Sequence, residues 1–206
     1  LNRAKAAASF RQKLADLDMQ ITGWESSFNS AADKFTRAKA AAGVLALLKQ
    51  RDGLASDLRT ISGSGSGADT APEQVAAYKK ALADLNITVA VTGAGGGQIA
   101  TGIIKALNAA GFTALASSAA ADISVAASVA PAQIRKDEPG PWKWAQNTVT
   151  VALSETATGK VFVQFDVVDK QAATDLDTAF SRSVQSAAGK TADRIQAAIQ
   201  DYFGGK

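Results

Sequence analysis

Apolar residues recur at alternating steps of four and three along the start of the chain: Phe10, Leu14, Leu17, Ile21, Trp24 and Phe28. That spacing places them on one stripe of a helix, with coiled-coil character. At Asn29-Ser30-Ala31-Ala32-Asp33 a Ser is followed three residues later by an acid, which favours starting a new helix. Phe35, Ala38, Ala42 and Leu45 carry the stripe onward, followed by Leu47, Leu48, Leu54, Leu58 and Ile61. One uninterrupted helix of about sixty residues would run about 90 Å with a sticky face uncovered. Folding back near Asn29 covers each stripe with the other, so residues 1–61 read as an antiparallel helical hairpin. The rival long helix requires a dimeric coiled coil.

Ser62-Gly63-Ser64-Gly65-Ser66-Gly67 breaks the pattern, and residues 62–69 read as a flexible linker. Thr70-Ala71-Pro72-Glu73 then has the form of a capping box with an early proline, opening a helix to about Leu85. Ile87 to Val91 is a β-branched strand, Gln98 to Ala110 a helix stopped by Gly111, and Phe112 to Ala116 a second strand. Asp122 to Val129 reads as a third strand and Ala130 to Pro141 as a charged, proline-rich loop. Trp142–Leu153 and Lys160–Asp169 alternate with period two about Thr156-Ala157-Thr158-Gly159, the pattern of a hairpin. Leu176, Phe180, Val184, Ile195, Ile199 and Tyr202 mark a closing helix. One βαβ unit followed by antiparallel strands predicts an α+β domain over 70–206, a small mixed sheet with helices packed on one face.

Composition narrows the chemistry. The 206 residues contain neither His nor Cys. Disulfides, thiol nucleophiles, Cys-ligated metals, a Ser-His-Asp triad and the commonest general base are therefore excluded. The 22 Lys and Arg stand against 19 Asp and Glu without a tight basic block, so no nucleic-acid footprint is expected. No apolar run reaches the roughly 18 residues of a membrane helix. Leu1 to Arg11 lacks the apolar core of a signal peptide, and the chain reads as a processed or excised segment. The acids Asp166, Asp169, Asp175 and Asp177 lack the spacing of a calcium loop, and Asp175 and Asp177 suit the start of the closing helix. Neither a metal nor a cofactor is expected.

Trp142-Lys143-Trp144, the Thr148–Leu153 strand, Thr158-Gly159-Lys160, Ala121-Asp122-Ile123 and the amphipathic closing helix together form a pattern. It resembles the C-terminal region of bacterial outer-membrane lipoproteins related to the twenty-kilodalton lipoprotein family. More distantly it is similar to periplasmic domains of the curli secretion lipoprotein, flagellar T-ring proteins and the TolB amino-terminal domain. The resemblance spans most of the chain from about Ala40. It implies a periplasmic or outer-membrane location and an assembly or interaction role, with any lipid anchor outside this chain.

Gly93-Ala94-Gly95-Gly96-Gly97-Gln98-Ile99-Ala100 fits G-x-G-x-x-A between a strand and a helix. Gly93, Gly95, Gly96, Gly97 and Gln98 are thus candidate ligand-binding residues, since such a turn can offer backbone N–H groups to an anion. A dinucleotide site would want an acid about twenty residues on, where Leu115-Ala116-Ser117-Ser118 has none. The competing reading is a tight turn that needs glycine only for its backbone. Trp142 and Trp144 share a strand face opposite Val149, Val151 and Leu153 unless a bulge near Gln146-Asn147 intervenes. They either anchor a partner, together with Arg135 and Lys136 of the adjacent loop, or pack beneath the closing helix or the hairpin. The chain therefore reads as a non-catalytic envelope interaction module, joined to a partner or a second copy through its hairpin. The alternative is a nucleotide or small-anion binder using 93–98.

Overall fold

The computed structural model of the chain describes residues 2–63, 70–117, 120–134 and 140–204. Most of the Ser/Gly run lies outside the described residues, and so do Arg135 and Lys136. The chain divides into two compact units, one reaching Asp84 and joined by Phe203, the other running from Leu85 to Tyr202. Both helical and mixed-sheet parts of the expected α+β fold are present.

In the first unit α1 (Asn2–Ser30) and α2 (Lys34–Ser62) form the hairpin. The reversal falls a few residues later than the spacing suggests, and the helix start is capped by Asp33 rather than Ser30. Asp33 accepts from the Thr36 N–H at 2.8 Å and from the Thr36 hydroxyl at 2.7 Å. These bonds hold the Asp33 carboxyl below its usual range despite slight desolvation. Gly63, in the left-handed region at φ 70°, ends α2 by donating its N–H to the Arg59 carbonyl. The stripe is used internally: Leu14 meets Leu58, while Ile21 and Phe28 meet Ala40, Ala41, Val44 and Leu48. Gly43 admits the Trp24 indole, which a β-carbon there would approach to 2.7 Å.

Helix α3 (Pro72–Ala83) packs on α2, so the packing groups it with the hairpin although it follows the Ser/Gly run. Its N-cap is Ala71, without a side-chain cap; the box read at Thr70–Glu73 does not form. Tyr78 meets Phe28 edge to face, centroids 5.0 Å apart, and donates its hydroxyl to Glu25 Oε1 at 2.9 Å. Burial, then the Glu25 carboxylate, pushes the Tyr78 phenol up from 10.0 to about 12. A raised value favours the neutral phenol when folded, so this stability is whole below pH 10.0 and disappears as pH rises through about 12. Parent and Tyr78→Phe should therefore differ in stability below about pH 10 and converge as pH rises towards about 12. An ordinary titration midpoint for Tyr78, read by ultraviolet absorbance against Tyr78→Phe, would contradict this.

The second unit holds β1 (Asn86–Thr92), α4 (Gly96–Ala109), β2 (Thr113–Leu115), β3 (Ile123–Ile134), β4 (Lys143–Glu155), β5 (Val161–Ala173) and α5 (Leu176–Gly204). The sheet order is β2-β1-β3-β4-β5, with β1 parallel to both neighbours and the last two pairings antiparallel. Strand β3 continues to Ile134, through residues that lose alternation and read as loop. One sheet face is buried by Ile87, Val89, Ile123, Val125, Val149, Val151, Leu153, Phe165 and Val167. Helices α4 and α5 cover it side by side: Gly102 comes close to the Ala188 carbonyl, and Gly95 to Val184. Asp122 locks the topology. Its carboxylate accepts from the Asn86 N–H at 2.9 Å, and its carbonyl accepts from the Thr156 N–H at 3.0 Å.

Strand β5 forms one edge of the sheet, and side chains of α5 occupy carbonyls along it. Arg194 donates to the Asp166 carbonyl at 2.8 Å and Arg182 to the Ala172 carbonyl at 3.3 Å. Such capping blunts an edge that could otherwise template further pairing. Among the described residues the buried face carries one ionised side chain beside its apolar ones. Asp169 accepts from the Ser186 hydroxyl at 2.7 Å, from Gln171 at 3.0 Å, and from the Lys190 ammonium.

Candidate functional site

The glycine turn is shaped mostly by packing. Gly93 sits at φ 96°, and a β-carbon there would lie 2.2 Å from the Val129 carbonyl oxygen. Gly95, the N-cap of α4 at φ 79°, would drive a β-carbon to 2.7 Å from Val184 on α5. A β-carbon on Gly96 would lie 3.2 Å from the Val91 carbonyl oxygen, so that neighbour would have to give slightly. These three glycines let the strand turn and the helices close on it. Gly97 is different: a β-carbon there would meet nothing within 4 Å. The turn bonds the N–H of Gly96 to Gly93 O and that of Gln98 to Gly95 O, whereas the Gly97 N–H has no such backbone acceptor among the described residues.

Gly97 opens onto a cleft of roughly 660 Å³ between this turn, the sheet and the head of α5. Gln98, Pro131, Asn147, Asp177, Phe180 and Val184 contribute to its lining. Asn147 is 1 % exposed, in phase with Val149 and Val151 on the buried face of β4. Its Nδ2 donates to the Phe180 carbonyl at 3.4 Å, while its Oδ1 has no donor. A buried acceptor without a partner costs stability, so it marks a place where a donor is wanted. Asp177 lies in the first turn of α5, whose start Asp175 caps by accepting from the Thr178 N–H at 2.8 Å. Asp175 and Asp177 thus stand at the helix start, as expected.

Gly95, Gly97 and Gln98 line the cleft together with Asn147 and Asp177, neither of which spacing singles out as a binding residue. The missed signal was a polar residue at an inward phase of an alternating strand, which reads equally well as a bulge. No irregularity occurs there; the break in register lies at Leu153/Ser154. Trp142 and Trp144 are elsewhere. Trp142 stands 57 % exposed just before β4, and Trp144 lies on the sheet face away from α5. Neither packs beneath the closing helix. Among the described residues no cluster of acids could hold a metal, and no helix is long and apolar enough to cross a membrane.

No family model matches the chain, and no curated protein matches it. Solved structures do. A lipoprotein candidate from Caulobacter crescentus aligns over 62 % of this chain and 95 % of its own, at 16 % identity and TM-score 0.44. A minor lipoprotein from Acinetobacter baumannii covers 57 % of this chain and 93 % of its own, at 12 % identity and TM-score 0.40. A protein from Xanthomonas campestris covers 57 % and 86 %, at 11 % identity and TM-score 0.39. They do not distinguish among the families that the sequence motifs resemble.

Proposed function

We propose that this chain is a non-catalytic binding module of the bacterial cell envelope, with the cleft at the heads of α4 and α5 as its site. The observation that carries the reading is the buried, unpartnered Oδ1 of Asn147 in a cleft that Gly97 keeps open. Among the described residues Asp177 is the one ionisable group lining the cleft, and a single exposed carboxylate supplies no acid–base pair. The envelope location is supported by the resemblance at Trp142-Lys143-Trp144 and Thr158-Gly159-Lys160. A nucleotide or bare phosphate is a poorer fit than a neutral ligand, because no Lys or Arg of the described residues lines the cleft.

The hairpin offers less to a partner than its pattern suggests, since the Phe10–Phe28 stripe is spent between α1 and α2 and, among its described residues, Met19 is the large apolar one left exposed. Partner docking is favoured instead at Trp142, whose indole projects into solvent beside the start of β4. Thermal unfolding of the full chain against nucleotides, dinucleotides, phosphate, muropeptides and amino acids tests the module. At about a hundred times its dissociation constant a cleft ligand should add about 2.7 kcal/mol, a shift of several degrees. The shift should vanish in Gly97→Val, and the ligand should be recovered unchanged. Chemical conversion of the ligand, a shift untouched by Gly97→Val, or no shift from any class would contradict the proposal.

A further inference from the structure

Resting on the cleft as a binding site, we propose that its ligand is a zwitterion: a free apolar α-amino acid, or a dipeptide of such residues. The cleft has two poles and an apolar wall. The positive pole is the N-terminus of α4, where the Gly97 N–H is uncommitted and its missing side chain leaves room for close approach. The end of a helix carries about half a positive charge and suits a carboxylate. The negative pole is Asp177 with Asn147 Oδ1, both acceptors, one charged and one buried without a donor. An α-ammonium supplies the N–H groups that both lack. Between the poles Pro131, Phe180 and Val184 present apolar surface for a side chain.

A bare anion would leave the Asn147 acceptor empty and face Asp177. A simple cation would meet the helix terminus. A molecule carrying both charges satisfies all three groups at once, and the roughly 660 Å³ space admits a small one.

Isothermal titration of the full chain with L-leucine, Leu-Leu, leucinamide, N-acetyl-leucine and inorganic phosphate decides the matter. Leucine or Leu-Leu should bind, and the two blocked forms should bind about tenfold or more weakly, because each loses one charged contact. Asp177→Asn should weaken leucine by a similar factor and leave N-acetyl-leucine unchanged. Gly97→Val should weaken every ligand, with melting behaviour retained as the folding control. Equal binding of blocked and free forms, or indifference to Asp177→Asn, would overturn the zwitterion while Gly97-dependent binding kept the cleft as a site. Binding unaffected by Gly97→Val, or no binding of leucine and Leu-Leu, would overturn it as well; the first of these would also remove the cleft.

Discussion

Gly93→Ala is expected to destabilise the sheet unit by about 3 kcal/mol or more, whereas Gly97→Ala, four residues on, should be neutral or slightly stabilising. At Gly93 two costs combine. The left-handed backbone at φ 96° costs a residue with a β-carbon about 1 to 2 kcal/mol. The new methyl would also stand 2.2 Å from the Val129 carbonyl oxygen, so strand β3 must shift, at about 1 to 3 kcal/mol. At Gly97 neither cost applies, because the backbone is helical and the space is open. There alanine gains about 0.5 to 1 kcal/mol by limiting the unfolded chain. Denaturant unfolding of both variants checks the contrast. Equal stabilities would mean that the turn does not pack on β3 as described.

The second large effect lies under α5. Burial pushes the Asp169 carboxyl up, but bonds from Lys190, Ser186 and Gln171 more than offset this and hold it below its ordinary 3.8. Lys190→Met should cost about 2 kcal/mol near neutral pH. That is less than the about 3 to 5 kcal/mol for breaking a fully buried pair, because Lys190 is largely exposed and screened by water. A carboxyl lowered on folding contributes stability above its unfolded value and loses it as pH falls through the folded one. Parent and variant should therefore differ at neutral pH and converge below 3.8. Urea unfolding at several pH values reads this directly, and a difference constant down into strong acid would contradict the assignment.

Much of this architecture was legible because burial leaves a period in the sequence. The three-and-four spacing of Phe10 to Phe28 predicted the hairpin, and the alternation of Val149, Val151 and Leu153 gave the correct face of β4. Helix ends were less legible, because several residues compete to cap. Asp33 prevailed over Ser30 by bonding Thr36 twice, and Ala71 caps α3 despite the neighbouring Thr70. The end of β3 was hidden because Ala130, Pro131 and Gln133 are all exposed, so alternation carries no signal there.

The candidate cleft was only partly legible for a related reason. A run of glycines announces a turn, yet composition cannot separate Gly93 and Gly95, which packing requires, from Gly97, which it does not. That distinction depends on Val129 and Val184, residues far along the chain. Asn147 was visible as a polar residue in an inward phase, but whether its acceptor is satisfied depends on Phe180, across the space to α5.

The most direct test of the cleft is nuclear magnetic resonance of the isotopically labelled full chain titrated with L-leucine. The Gly97 backbone amide and the Asn147 side-chain amide should shift together along one saturation curve. Shifts confined to the Trp142 indole, with Gly97 and Asn147 unmoved, would contradict the account.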